Sequence, residues 1–403
     1  ILKSNNMLDF SNTEIAFSHK SDADLRNADC LFRAIKQPFI VKCGKGLAQL
    51  ALGINFPVAW AVKPTLFKQF VGGETLKDCT RSMEQLQKFN VKSILDYSAE
   101  GGQSEQDIRY SYEETLRSID FARNNPTIAY TVFKPSAMVT DELLAKASEK
   151  PETLTAAEAK EFARFRKRFM SLCERAYKND VRILVDAEDY CFQYAIDRLT
   201  EEAMRLFNSK RAIVFATLQM YRHDRMPYLQ KIWDDSRKYN YIAGIKFVRG
   251  AYMEAERARA SEMGYPDPIC KDKQATDDNY NAGLAFVVDH IDCMELFSGT
   301  HNEHSNLYLA ELMAKKGIQP NDTRIFFAQL YGMSDNISFN LANAGYCVAK
   351  YVPYAPVKKV LPYLIRRAEE NTSMAGQTGR ELRMIERELD RRKQKRSAVA
   401  NPA

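Results

Sequence analysis

Eight times between residues 91 and 352 a short apolar, β-branched run is followed by a longer amphipathic stretch, and few folds accommodate that alternation. The runs occupy 91–97, 127–133, 181–186, 212–217, 244–248, 293–298, 324–330 and 346–352. The stretches between and after them predict helices at 107–124, 156–179, 190–208, 223–239, 274–291, 303–316, 335–344 and 357–371. Continuous apolar runs suit strands covered on both faces, which is the situation of a parallel sheet flanked by helices. Eight such units over about 280 residues are the size of a (β/α)8 barrel, an α/β fold. An open doubly wound sheet competes, but it needs a glycine-rich first turn. The one candidate, Gly44-Lys45-Gly46-Leu47-Ala48-Gln49, lacks the final glycine, falls outside the series and reads as a helix start. No Walker A sequence occurs.

Around this barrel, assigned to 91–375, residues 1–90 read as a helical amino-terminal region, with an amphipathic run at 75–89. Residues 376–403 read as a carboxy-terminal helix and basic tail, with Leu382, Ile385 and Leu389 on one helical face. The lysine-rich segment 143–157 reads as an insertion between the second strand and its helix. The cluster Arg391-Arg392-Lys393-Gln394-Lys395-Arg396 reads as a solvated helix end, a frayed tail or a surface for anionic lipid.

The net charge of +6 is mild, and no nucleic-acid partner is expected. Eight cysteines stand without CxxC spacing, which argues against a zinc ribbon or disulfide framework and for a reducing compartment. No secretory leader opens the sequence, although it begins at an isoleucine. The longest apolar stretch, 47–62, is broken by Gly53, Asn55 and Pro57 and is shorter than the roughly 20 residues of a spanning helix. It reads as a buried helical hairpin, or else as an interfacial contact with a membrane.

Chemistry in such barrels occupies the carboxyl ends of the strands. Those ends read Asp96, Lys134, Asp186 with Glu188, Gln219, Lys246 with Arg249 and Tyr252, His301, Gln329 and Tyr351. One or two polar residues there would be loop capping; a polar group closing nearly every strand points to a site. Its cations outnumber Asp186, which favours an anionic ligand. The last predicted helix adds Arg366 and Arg367, whose planar forks suit a carboxylate, with Glu370 one turn on. Each residue also has a structural reading. Glu370 could pair with Arg366 or Arg367, Arg249 with Glu254 or Glu256, Asp186 could cap a helix, and His301 and His304 could be surface residues.

Several segments, in order, resemble the flavin-dependent proline dehydrogenase family in its mitochondrial-type branch. They are Phe133-Lys134-Pro135-Ser136-Ala137, Val185-Asp186-Ala187-Glu188, Leu218-Gln219-Met220-Tyr221, and Lys246-Phe247-Val248-Arg249-Gly250-Ala251-Tyr252. They continue with Thr300-His301-Asn302, Gln329-Leu330-Tyr331-Gly332-Met333, and Tyr351-Val352-Pro353-Tyr354 leading to Arg366-Arg367 and Glu370-Asn371. The resemblance implies oxidation of L-proline to pyrroline-5-carboxylate, hydride transfer to FAD, and a quinone acceptor reached by peripheral membrane contact.

It also implies roles. Arg366, Arg367 and Lys134 would hold the proline carboxylate, and Tyr351 and Asp186 would border the ring. Tyr252, Leu330 and Tyr363 would form apolar walls. Asp186, Gln219, Lys246, Arg249, Gly250, Ala251, Thr300, His301 and Glu370 would contact FAD. Lys246 stands where many bacterial members carry arginine, which keeps the charge and loses the fork. Tyr351 leans toward proline over hydroxyproline. A metal-dependent barrel hydrolase or lyase using Asp186, Glu188, His301 and His304 is the alternative enzyme. A membrane- or partner-binding adaptor is the non-catalytic one.

Overall fold

Eight parallel strands close into a barrel in chain order: β1 (Val91–Tyr97), β2 (Ile128–Phe133), β3 (Ile183–Val185), β4 (Val214–Gln219), β5 (Ala243–Val248), β6 (Met294–Gly299), β7 (Ile325–Leu330) and β8 (Val348–Tyr354). The structure, a computed structural model, describes residues 8–53, 59–99, 103–373 and 375–400. The (β/α)8 architecture anticipated from the alternation is therefore the observed one. The chain groups into two compact units: Ile94–Tyr97 with Gly102–Ala328, and Ile1–Ser93 with Ser98–Gly101 and Gln329–Ala403.

In the first unit the register carries Val185 beside Ala216, Thr217 beside Lys246, and Lys246 beside Phe297. Aromatic rings fill the space at the amino-terminal end. Tyr130 meets Phe215, Phe297 and Phe326 edge-on at 5.1–5.2 Å between centroids. Arg182 lies over the Tyr130 ring and pairs with buried Glu295 at 2.7 Å. A buried pair of this kind is tolerated because each charge has a partner, and this one plugs the end opposite the chemistry. The segment at 143–157 is less of a loop than its charges suggest. Helix Asp141–Glu149 buries Leu143, Leu144 and Ala147, and the Ser148 hydroxyl donates to the Phe192 carbonyl at 2.7 Å.

In the second unit, helices Asp22–Ile35 and Leu76–Gln87 each start with a capping box, Ser21 with Asp24 and Thr75 with Asp78. Strand β8 runs two residues past its expected end, so Tyr351 lies inside the strand. Pro353 does not stop it, because its carbonyl still accepts from the Gly72 amide at 2.8 Å, and the Tyr354 carbonyl accepts from Ser98 at 3.2 Å.

The terminal helix Ala375–Ala400 buries Leu382 and Ile385 as expected. Its basic cluster, however, is neither frayed nor simply solvated. Arg392 donates to the Phe17 and Lys20 carbonyls and pairs with Asp22 and Glu388, while Arg391 pairs with Glu388 and Glu14. These guanidiniums thus meet Glu14 and Asp22 of the first two helices, the Phe17 and Lys20 carbonyls of the turn between them, and Glu388 of their own helix.

Gly44 and Gly46 lie inside helix Pro38–Gly53, not at its start. Of the apolar stretch 47–62, residues 54–58 fall outside the described residues. Trp60 stands 73% exposed, so the stretch is not a buried hairpin there. A single helical turn, Ala59–Val62, cannot bury all of its sides. Among the described residues no helix is long and apolar enough to cross a membrane.

Candidate active site

In the first unit, the carboxyl ends of β2 to β6 carry Lys134, Asp186, Gln219, Arg249 and Thr300 at or one residue beyond each strand's last position. Lys246 sits inside β5 and is buried, and its ammonium pairs with Asp186 at 2.5 Å. Asp186 is thus engaged by a cation from two strands away rather than capping a helix. Its own amide donates to the Phe133 carbonyl at 3.1 Å, which fixes the start of the loop.

Arg249 is held on three sides. Its Nε donates to Asp277 at 2.7 Å, Nη1 to the Thr300 hydroxyl at 2.6 Å and Nη2 to the Ser305 hydroxyl at 3.0 Å. The guanidinium also lies 4.5 Å from the Tyr280 ring centroid. Its carboxylate partner is therefore Asp277, not Glu254 or Glu256. Burial pushes the Asp277 carboxyl upward, but hydrogen bonds from Lys273 and Arg249 hold it below the usual range. Its Nη2 also lies 2.6 Å from the Asp277 carboxylate, so the guanidinium is engaged along most of its edge.

Gly250 follows at φ +131°, and a Cβ there would lie 2.5 Å from the Tyr221 ring. Glycine is required on both grounds. Ala251 and Tyr252 lead from it into helix Met253–Met263. Gln219 is 3% exposed, and its amide oxygen has no hydrogen-bond partner among the described residues. Orphaned buried acceptors are rare and mark places where a further group belongs. His301 is half-buried just before helix Glu303–Lys315, and His304 is exposed on it. Among the described residues no group of three His, Cys, Asp or Glu side chains is placed to hold a metal ion, which leaves Asp186, Glu188, His301 and His304 without a shared centre.

Glu188 is the residue whose weight the sequence did not reveal. It is buried, and it accepts from the Ser136 hydroxyl at 2.8 Å. Its amide donates to Gln193 at 2.9 Å. Burial pushes its carboxyl up to about 7, against the pull of the Lys134 ammonium and the Ser136 hydroxyl. Below its ordinary value of 4.5 both the folded and the unfolded chain hold this proton. Between 4.5 and about 7 only the folded chain holds it, so this group's contribution to stability declines as pH rises through that window. Glu188→Gln removes the titration. Thermal melts from about pH 5 to about 7 should then show a shallower decline than the parent, and parallel curves would contradict the assignment.

In the second unit, helix Val357–Ser373 carries Tyr363, Arg366 and Arg367. Tyr363 is buried, the two arginines are half-buried, and the Arg367 guanidinium lies 5.3 Å from the Tyr363 ring centroid. Stacking of this kind holds the guanidinium plane. Glu369 pairs with Lys45 at 2.7 Å. The Glu370 side chain lies outside the described residues. Tyr351 is buried in β8, and its carbonyl accepts from the Tyr331 amide at 2.8 Å. Leu330, the last residue of β7, is half-buried beside it in the chain's turn.

Comparison with known proteins gives these positions a context. A family model described as proline dehydrogenase matches residues 79–380. The carbapenem antibiotics biosynthesis protein CarD of Pectobacterium carotovorum subsp. carotovorum is 34% identical over 323 residues, which are 80% of this chain and 83% of the relative. Mitochondrial proline dehydrogenase 1 of Dictyostelium discoideum is 31% identical over 438 residues, covering 97% of this chain and 76% of its own. Among solved structures, proline utilization A (PutA) from Bdellovibrio bacteriovorus superposes with a TM-score of 0.69 at 18% identity, over 91% of this chain. The chain spans 37% of that protein, and at such identity the likeness concerns the fold alone.

Proposed function

Because this chain belongs to the proline dehydrogenase family, we propose that it oxidises L-proline to pyrroline-5-carboxylate with FAD as its cofactor, the first step of proline catabolism. When bound, the flavin would supply the hydride acceptor, with a quinone as the terminal acceptor of the proposed reaction. The remaining work falls to side chains. Arg366 and Arg367 take the substrate carboxylate by bidentate hydrogen bonds, and the Lys134 ammonium adds a further charge-assisted contact. Tyr252, Leu330, Tyr351 and Tyr363 close around the ring, excluding water and turning the carbon beside the nitrogen toward the cofactor. Such positioning alone is able to lower a barrier by several kcal/mol.

The observation that carries the cofactor assignment is the unpartnered, buried amide oxygen of Gln219 at the end of β4, next to the β5 end that carries Lys246 and Arg249. Cations suit a dinucleotide's phosphates, and a lone buried amide suits the edge of a polar ring. Thr300, His301, Ala251, Asp186 and Glu370 complete the proposed contacts, on the strength of the motifs they belong to.

The Dictyostelium relative is named mitochondrial, and we place this chain at the matrix face of the inner membrane or in the cytoplasm, in peripheral contact with lipid. Phe39, Ile40 and Trp60 are exposed, which suits such a contact. Purified protein given L-proline and a soluble quinone should form pyrroline-5-carboxylate, trapped as its coloured adduct with o-aminobenzaldehyde. Turnover of 4-hydroxyproline should be weaker because of Tyr351. No trapped product with either substrate would remove the proposal.

A further inference from the structure

The turn that follows β7, residues 330–334, contains two left-handed positions, Gly332 at φ +75° and Ser334 at φ +50°. It is held by three separate segments of the second unit. From β8, the buried Lys350 ammonium donates to the Met333 carbonyl at 2.6 Å and the Leu330 carbonyl at 3.3 Å, and it pairs with Asp335 at 2.7 Å. From the amino-terminal helices, the Gln69 amide donates to the Gly332 carbonyl at 2.6 Å, and Lys20 reaches the second oxygen of Asp335 at 3.0 Å. From the terminal helix, Glu381 accepts the Ser334 amide. The fit around Gly332 is tight enough that a Cβ would lie 1.9 Å from the Gln69 carbonyl oxygen.

Two ammoniums and two carboxylates in a buried cluster are costly to desolvate, and apolar side chains of the same volume would stabilise the fold as well or better. What such a cluster achieves, where apolar packing does not, is a single arrangement of the backbone it bonds. Of the two carbonyls that Lys350 binds, the more distant belongs to Leu330, and Lys350 is bonded in sequence to Tyr351.

We propose that Lys350, backed by Asp335 and seconded by Gln69, is a positioning residue for the substrate ring, fixing Leu330 and Tyr351 at the spacing proline requires. This rests on the assignment of Leu330 and Tyr351 to the substrate wall in the proposed function. It also gives the amino-terminal region a role, since Gln69 and Lys20 come from it.

The test compares Lys350→Met, Lys350→Arg and Gln69→Ala with Leu330→Ala in the FAD-loaded, full chain. Lys350→Met and Gln69→Ala should each raise the proline KM about fivefold or more with flavin content intact and kcat less affected, and Lys350→Arg should restore part of the loss. Gln69→Ala loses only a half-buried hydrogen bond and carries the test if Lys350→Met does not fold. Lower melting temperatures with an unmoved KM would show a merely structural cluster and overturn the proposal. If Leu330→Ala shifts KM while Lys350→Met and Gln69→Ala do not, the positioning role falls and the proposed function stands. If Leu330→Ala also leaves KM unmoved, Leu330 is no part of the substrate wall and the positioning role falls with it, while proline oxidation, which the same assay measures, stands.

Discussion

Replacing either Arg366 or Arg367 by alanine should raise the KM for L-proline at least about tenfold, a loss of ~1.4 kcal/mol or more. Both side chains sit half-buried on helix Val357–Ser373, and the Arg367 guanidinium is stacked against Tyr363. A guanidinium removed from water keeps its value only when something anionic meets it. Proline's carboxylate is the proposed anion, and it is present in substrate and transition state alike. The effect should therefore fall mainly on KM, with kcat reduced less. Arg367→Lys should be intermediate, since it keeps the charge and loses the paired donors. Steady-state kinetics on both alanine variants checks this, and unchanged KM in both would remove the carboxylate clamp.

Lys246→Met should be the most damaging single change at the proposed flavin site. The Lys246 ammonium is buried and lies 2.5 Å from Asp186. Taking away one member of such a pair leaves the other charge uncompensated, at a cost on the order of 3–5 kcal/mol. The melting temperature should drop by several degrees, and proline turnover should fall by more than tenfold, on the order of the energy of one charge-assisted contact. The double variant Lys246→Met with Asp186→Asn should recover much of the stability, because neither charge is then stranded. It should not recover activity. Recovery of both together would mean that the pair only holds the barrel shut.

The barrel was legible because each strand, covered on both faces, writes itself as an unbroken apolar run, and the helices between them keep a 3.6-residue period. The polar residues closing β2 to β6 were legible for the same reason: they interrupt that run at its carboxyl end. Partners from other elements left no such trace. Nothing periodic joins Arg249 to Asp277, 28 residues on, or Lys20 to Asp335. Pairings of that kind are made by the closing of the fold. The clasp of Arg391 and Arg392 on the first two helices was hidden behind a composition that reads as a solvated tail. The eighth run reads as ending at Val352, but the strand continues through Pro353 to Tyr354.

The central claim is that a flavin and proline meet in this barrel, and absorbance under anaerobic conditions tests it most directly. Purified protein should be yellow, and adding L-proline without any acceptor should bleach the flavin band, with D-proline inert. A colourless protein that takes up no added FAD, or a flavin band that L-proline leaves unchanged, would contradict it.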